Sequence, residues 1–159
     1  MITKLPIHHL RGLAETSLSL GPSVNLWVGG NGAGKTSVLE AVSILSLGRS
    51  FVTSRIKSII TFDQSSLTVF GRIQGQHQEH RLAVQVNRDD ERKLRLDGSA
   101  AKNQVALSRL LPVLQITPHS VDVITGSPGD RRRFMDWGAF HWSGGNGQSF
   151  NALRRALLQ

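Results

Sequence analysis

Hydrophobic and polar positions recur at two different periods along this chain, and the changes of period lay out its elements. Ile2, Lys4, Leu5 and Ile7 alternate loosely and Leu18-Ser19-Leu20 follows a polar turn, so residues 2–20 read as two short strands. Gly21-Pro22 breaks the chain. Val24-Asn25-Leu26-Trp27-Val28 is short, apolar and β-branched, the pattern of a buried strand. From Ser37 to Leu47 the period lengthens: Val38, Val42 and Leu45 share one helical face with Leu39 beside them, and Gly48 supplies a stop. Period two returns in Leu67 to Ile73, His80 to Val86 and Lys93 to Leu96, which predicts an antiparallel meander. Asn87-Arg88-Asp89-Asp90-Glu91 would close one hairpin and Asp97-Gly98 the next turn. Ala101 to Leu111 reads as a helix ended by Pro112, and Val113-Leu114-Gln115-Ile116 as a short buried strand stopped by Thr117-Pro118. Ser127-Pro128 predicts a capped helix running through Trp137. After the flexible Ser143-Gly144-Gly145-Asn146-Gly147 a last helix begins near Phe150.

Between the second apolar run and the first helix stands Gly29-Gly30-Asn31-Gly32-Ala33-Gly34-Lys35-Thr36, which fits G-x-x-x-x-G-K-[ST] at every fixed position. Strand, glycine loop, helix is the context that this phosphate-binding motif requires. A triphosphate held by a loop needs several backbone N–H groups turned inward, and glycines permit the backbone angles and the close approach. The following helix adds its unpaired first amides and the positive end of its dipole. Lys35 would reach the β and γ phosphates, and the Thr36 hydroxyl would ligate Mg²⁺.

Composition narrows the class further. The 159 residues suffice for one domain with a real core. There is no cysteine, which excludes disulfides and thiolate metal sites. No apolar run approaches the roughly 18 residues of a membrane span, and the first residues lack a signal-peptide core, so a soluble cytoplasmic protein is expected. A formal charge of +8 and a pI near 11.3 suggest a polyanionic partner, nucleic acid first.

Two features point to an unfinished machine. Asn151-Ala152-Leu153-Arg154-Arg155-Ala156-Leu157-Leu158-Gln159 is in full helical period where the sequence stops, so the chain reads as cut. A hydrolase with this loop also needs a strand ending in a carboxylate that holds Mg²⁺. The only apolar run ending in Asp is Ile59-Ile60-Thr61-Phe62-Asp63, and Asp63 reads as a surface loop residue. A compact kinase or GTPase acting on a small molecule is the alternative, and it would require Asp63 as the magnesium carboxylate. No Asn-Lys-x-Asp motif for guanine is present. Arg131-Arg132-Arg133 on a short helix would either bind DNA phosphates or form a solvated face anchoring Asp130 or Asp136. His77 and His80 lack the carboxylate cluster of a metal site. Trp137, Phe140 and Trp142 read as core or lobe-contact residues rather than stacking platforms.

These residues carry a family resemblance. Gly29-x-Asn31-Gly32-x-Gly34-Lys35-Thr36 followed by Leu39-Glu40-Ala41 resembles the phosphate loop of the SMC and RecF group of ABC-type ATPases. Gly48-Arg49-Ser50-Phe51, Leu111-Pro112-Val113 with Ile116-Thr117-Pro118, and Gly126-Ser127-Pro128 with Arg131-Arg132-Arg133-Phe134-Met135-Asp136-Trp137-Gly138 narrow the likeness to the RecF family, in order along nearly the whole chain. The resemblance implies an α/β P-loop NTPase fold, the N-terminal portion of an ABC-type ATPase head with an antiparallel β meander. It divides the chain into an ATP-binding lobe at 1–116 and the truncated start of a helical second lobe at 117–159. Gly29 to Thr36 would bind ATP, with Mg²⁺ on Thr36. Arg11 matches an arginine that lies close to the nucleotide phosphates in related ATPases. The resemblance further implies single-stranded or gapped DNA as partner, an ATP-dependent homodimer, recombination mediator proteins, and roles in DNA repair, replication restart, recombinase loading and the SOS response. The chain departs from the family pattern at Leu10 (an aromatic expected), Val52 (a basic residue) and His119 (an acidic one). The family's signature segment and magnesium carboxylates belong to a C-terminal half that the sequence does not contain, so little or no hydrolysis is expected.

Overall fold

Every run of period two in the meander becomes a strand, and all of them join one sheet. β1 (Ile2–Leu10) and β2 (Leu13–Ser19) form a hairpin; β3 (Ser66–Gln74), β4 (Glu79–Asn87), β5 (Arg92–Leu96) and the short β6 (Ser99–Ala100) follow. Their order is β2-β1-β3-β4-β5-β6, each neighbour antiparallel. The computed structural model describes residues 1–75 and 77–142. Its contacts divide the chain into a first unit, Met1–Val113, and a second that begins at Leu114.

Register decides what each face of the sheet carries. Ile7 lies opposite Val69, and Val69 opposite Val84, so one face collects Leu5, Ile7, Leu67, Val69, Ile73, Leu82, Val84 and Val86, all buried. The other face alternates to polar side chains, as expected when an antiparallel sheet is covered on one side. The cover is α1 (Lys35–Leu47), which sets Val38, Ala41, Ile44 and Leu45 into the same core. The approach is close because β3 carries Gly71 beneath the helix: a Cβ there would run into Cδ2 of Leu45. Leu39, expected beside the apolar face, instead stands half exposed on the solvent side.

The C-terminal end of α1 is tied down by side chains. The N–H of Gly48 (φ 69°) donates to the Ile44 carbonyl at 2.9 Å. Nε2 of Gln104 donates to the carbonyls of Leu45 (3.1 Å) and Ser46 (2.7 Å), the Ser108 hydroxyl to Ser46, and Nη1 of Arg92 to the Gly48 carbonyl at 2.6 Å. These satisfy acceptors that a helix end leaves without partners. Gln104 and Ser108 come from α2 (Gln104–Leu110), which occupies most of the helix expected over 101–111 and is capped by the Asn103 side chain.

Two expected strands are not formed. Val24 to Val28 runs without strand pairing among the described residues, with Val24, Leu26 and Val28 each more than four-fifths exposed. Only Trp27 turns inward, half-buried against the core. Val113 to Ile116 likewise takes no strand conformation, and Ile116 is 86% exposed. Both segments have the apolar alternation of a strand, yet neither belongs to the six-stranded sheet.

In the second unit, Pro118–Val121 makes a 3₁₀ turn and α3 (Asp122–Thr125) a single helical turn. α4 (Pro128–Trp142) starts where the Ser127-Pro128 pair predicts and continues past Trp137. The hydroxyl and N–H of Ser127 donate to Oδ2 of Asp130 at 2.7 and 3.1 Å, which holds the Asp130 carboxyl below the usual carboxylate range. The glycine-rich stretch and the helix expected near Phe150 lie outside the described residues.

Gly71→Ala is expected to cost about 1–3 kcal/mol, the usual penalty for overpacking. Urea denaturation of the two proteins would measure it, and an unchanged midpoint would contradict the close approach of α1.

Candidate phosphate-binding site

The loop between Gly29 and Lys35 folds back on itself before α1 begins. The Ala33 N–H donates to Gly30 (3.3 Å), and the Val38 N–H donates to Gly34 (3.0 Å) as the first bond of the helix. Gly34 has φ 86°, a left-handed angle that side chains rarely adopt, and a Cβ there would sit 2.8 Å from Cδ2 of Leu13. Glycine is thus required twice over, by angle and by space. The first amides of α1, from Lys35 onward, open on the loop with no carbonyl of the preceding turn to take them. Lys35 reaches back across the loop: its Nζ donates to the carbonyls of Gly29 and Gly30, both at 2.7 Å. The lysine therefore holds its charge at the mouth of the turn rather than out in solvent.

Arg11, Gly12, Leu13 and residues Asn31 to Ser37 together line a cavity of about 500 Å³. Among the described residues its lining holds two cationic side chains, two hydroxyls (Thr36 and Ser37) and no carboxylate. Backbone donors, a helix N-terminus and a lysine thus converge on one space, a donor set whose chemistry suits an anion. A Mg²⁺ bound there would meet the exposed Thr36 hydroxyl and take the rest of its shell from phosphate oxygens and water, as this ion usually does. Among the described residues no group of three His, Cys, Asp or Glu side chains could hold a metal by itself.

Arg11 enters through the β1–β2 turn. Leu10 pairs with Leu13, so Arg11-Gly12 is a two-residue hairpin loop, and Arg11 has φ 53°. A glycine would take that angle without strain. The arginine is held in it from three sides. Its N–H donates to Ile59 (2.7 Å), its carbonyl accepts from Oγ1 of Thr61 (2.7 Å), and its guanidinium grips Glu40 with two N–H groups, Nη2 at 3.0 Å from Oε1. Hydrogen bonding to Glu40, more than their charge attraction, raises the Arg11 pKa above its ordinary value.

Glu40 is the residue that sequence reasoning underrated. It is fully buried on the inner side of α1, between Val38 and Ala41, and takes a second donor from the Ser50 hydroxyl. The sequence marked it only through the Leu39-Glu40-Ala41 family motif, with no sign of the partner that allows its burial. Ser50 is likewise more than a connector: its oxygen also accepts from the N–H groups of Val52 (3.0 Å) and Thr53 (3.1 Å), fixing the loop after the helix.

Other expected site residues are distributed elsewhere. Asp63, on which a compact kinase would depend, stands exposed in a turn at φ 60° and does not line the cavity. Arg131, Arg132 and Arg133 lie exposed at the start of α4. Nη1 of Arg131 donates to the Gly126 carbonyl (3.0 Å) and Nη1 of Arg133 pairs with Asp130 (3.3 Å), so two of the three already hold their own helix start. His80 meets Asp97 at 2.8 Å and Gln78 at 3.2 Å, while His77 is exposed. Trp137 and Phe140 are half-buried, each with its ring close to that of His141.

With this geometry in place, comparison with known proteins defines the class. The RecF/RecN/SMC N terminal domain matches residues 1–151, and the chain belongs to that family. It is 38% identical to the DNA replication and repair protein RecF of Pseudomonas syringae pv. tomato over 99% of its own length and 43% of that protein. The RecF of Idiomarina loihiensis is 41% identical, with 88% of this chain and 38% of that protein covered. The chain thus spans less than half the length of these relatives. Among solved structures, one of the recombination mediator protein RecF-ATPrS in the RecFOR pathway superposes with a TM-score of 0.77 over 89% of this chain and 38% of that one, at 24% identity. A structure from work on ATP-driven dimerization of SMC ATPases gives 0.68 over 86% of this chain and 98% of that one, at 18% identity. The fold is that of the N-terminal part of an ABC-type P-loop ATPase head, as the motif pattern predicts.

Arg11→Ala should cost about 3 kcal/mol, because it leaves a buried carboxylate without its cation. Adding Glu40→Gln should recover part of that loss. Thermal or urea denaturation of Arg11→Ala, Glu40→Gln and the double variant would measure this, and purely additive losses would contradict a buried pair.

Proposed function

We propose that this chain is the nucleotide-binding portion of a RecF-type DNA repair and replication protein, and that it binds ATP with Mg²⁺ in the cup formed by Gly29, Gly30, Asn31, Gly32, Ala33, Gly34, Lys35 and Thr36. The observation that carries the reading is the convergence of Lys35 and the first amides of α1 on a cavity of about 500 Å³ with no carboxylate in its wall. In this reading, phosphate oxygens replace the Gly29 and Gly30 carbonyls as acceptors for Nζ of Lys35. The amides of the loop and the helix start orient the phosphate chain, and Thr36 supplies a hydroxyl to the magnesium ion, which neutralises phosphate charge. Arg11 forms one wall, and its charge is fixed in place by Glu40.

Hydrolysis asks for a carboxylate near the metal and a group that orients water. Among the described residues the cavity lining holds no carboxylate, and in this reading the chain binds nucleotide with little or no turnover. The names of the relatives support DNA repair and replication as its setting, and the structures of RecF and SMC heads support ATP-dependent pairing of two copies. Within this reading the DNA is single-stranded or gapped, recombination mediator proteins are the protein partners, and the recombinase loading and SOS roles of the complete protein follow. No helix among the described residues is long and apolar enough to cross a membrane, and a cytoplasmic location fits such a role.

Titration with a fluorescent ATP analogue in the presence of Mg²⁺ tests the core of the proposal. Lys35→Ala should weaken binding about tenfold or more, the usual worth of a hydrogen bond to a charged group, and phosphate release should stay at background. Equal binding by Lys35→Ala would overturn the assignment. Turnover that Lys35→Ala abolishes would refute the claim of inactivity.

A further inference from the structure

The outward face of the sheet carries an arrangement that folding alone disfavours. Lys4 on β1 lies directly opposite Arg72 on β3, and Arg72 directly opposite Arg81 on β4. Like charges facing each other across strands destabilise a sheet, yet here three stand in one row. The next rows on the same face add Arg95 opposite Ala83 and Lys93 opposite Gln85. Nearby carboxylates compensate only in part. Glu79 lies 3.6 Å from Nε of Arg72, and Asp97 is taken up by His80 and the Arg81 N–H, with only its remaining field on the Arg81 side chain. Glu15 lies nearest His8 on the far side of β1. Among the described residues Lys4, Lys93 and Arg95 have no ion pair.

An aromatic ring sits inside this bracket of charge. Phe70, on the strand between Thr68 and Arg72, is 41% exposed and meets the His8 ring edge to face at 5.8 Å between centroids. Its opposite neighbour on β4 is the small Ala83, which leaves a dent of about 140 Å³ lined by Thr68, Phe70, Ala83, Gln85, Lys93 and Arg95. The dent thus joins an aromatic ring, two polar side chains and two cations, with the row Lys4-Arg72-Arg81 about 7 Å further along the strands.

We propose that this sheet face is a binding surface for single-stranded DNA. The backbone phosphates lie along Lys4, Arg72 and Arg81 on one side and Lys93 and Arg95 on the other, and an unpaired base rests against Phe70. The combination of a cationic track with an aromatic platform is what sequence-tolerant single-strand binding uses, and phosphate is the ligand that relieves the repulsion within the row. The inference rests on the DNA-binding part of the proposed function and deepens it. It assigns the contact to the sheet rather than to Arg131, Arg132 and Arg133, two of which are engaged in their own helix start.

The test is fluorescence anisotropy of a labelled thymidine oligonucleotide titrated with the whole 159-residue chain at several salt concentrations, beside a blunt duplex of equal length. The double variant Arg72→Gln/Arg81→Gln should flatten the dependence of log affinity on log salt by about 1.4, at roughly 0.7 per phosphate contact on a single strand. Its melting temperature should rise, since repulsion has been removed. Phe70→Leu, which keeps apolar bulk, should weaken the oligonucleotide about tenfold and leave the duplex unchanged. Wild-type binding with an unaltered salt slope in the double variant would overturn the sheet assignment and leave DNA binding standing. Equal loss on duplex and single strand in Phe70→Leu would overturn the single-strand assignment. A wild-type chain that leaves the oligonucleotide unmoved at low salt would remove both the inference and the DNA-binding reading beneath it.

Discussion

The buried carboxylate of Glu40 organises the glycine-loop end of this molecule. Three pieces of chain that are distant in sequence converge on it: the β1–β2 turn through Arg11, α1 through Glu40 itself, and the loop after α1 through Ser50. A charge with no exposure is tolerated only when it is paired and hydrogen-bonded, and here both oxygens have donors. The requirement runs in the other direction as well. Because Glu40 must have a cation, Arg11 occupies a left-handed turn position that glycine would fill more comfortably, and the strain is held by two further backbone bonds. Since α1 begins at Lys35 and Glu40 lies little more than one turn further on, fixing Glu40 fixes the direction in which the first helical amides point.

The same helix is located at its other end by different means. Gly71 lets Leu45 approach the sheet, and Gln104, Ser108 and Arg92 take the last carbonyls. The helix is thus held by an ion pair near its start, by packing in its middle and by hydrogen bonds at its end. Rigid placement matters for a site of this kind, because backbone donors bind an anion well only when they are already aimed at it.

How much of this was legible beforehand varies with the kind of evidence each feature leaves in a sequence. The turn that precedes α1 was legible in its backbone, because Gly34 answers a local demand for φ and space, while the strand expected to feed it did not form. The meander was legible too, since β3 and β4 have one buried face and β5 a half-buried one, and all three therefore alternate. Val24 to Val28 and Val113 to Ile116 were misread for a physical reason. Alternation records which side chains seek burial, but a strand is defined by its backbone partners, and those are not written in the segment itself. Glu40 was legible only as a family motif residue, because the partner that justifies its burial lies 29 positions earlier in a turn. The opposed cations Lys4, Arg72 and Arg81 were invisible for a related reason, as only strand register brings them into one row.

If the amides from Gly29 to Thr36 form a preset cup for a nucleotide's phosphates, amide NMR of the isotope-labelled chain titrated with ATP and Mg²⁺ will register it residue by residue. Saturable shifts should then concentrate at Gly32, Gly34, Lys35, Thr36 and Ser37, with little change in β3 and β4. Shifts absent from those amides at saturating nucleotide, or spread over the sheet instead, would contradict it.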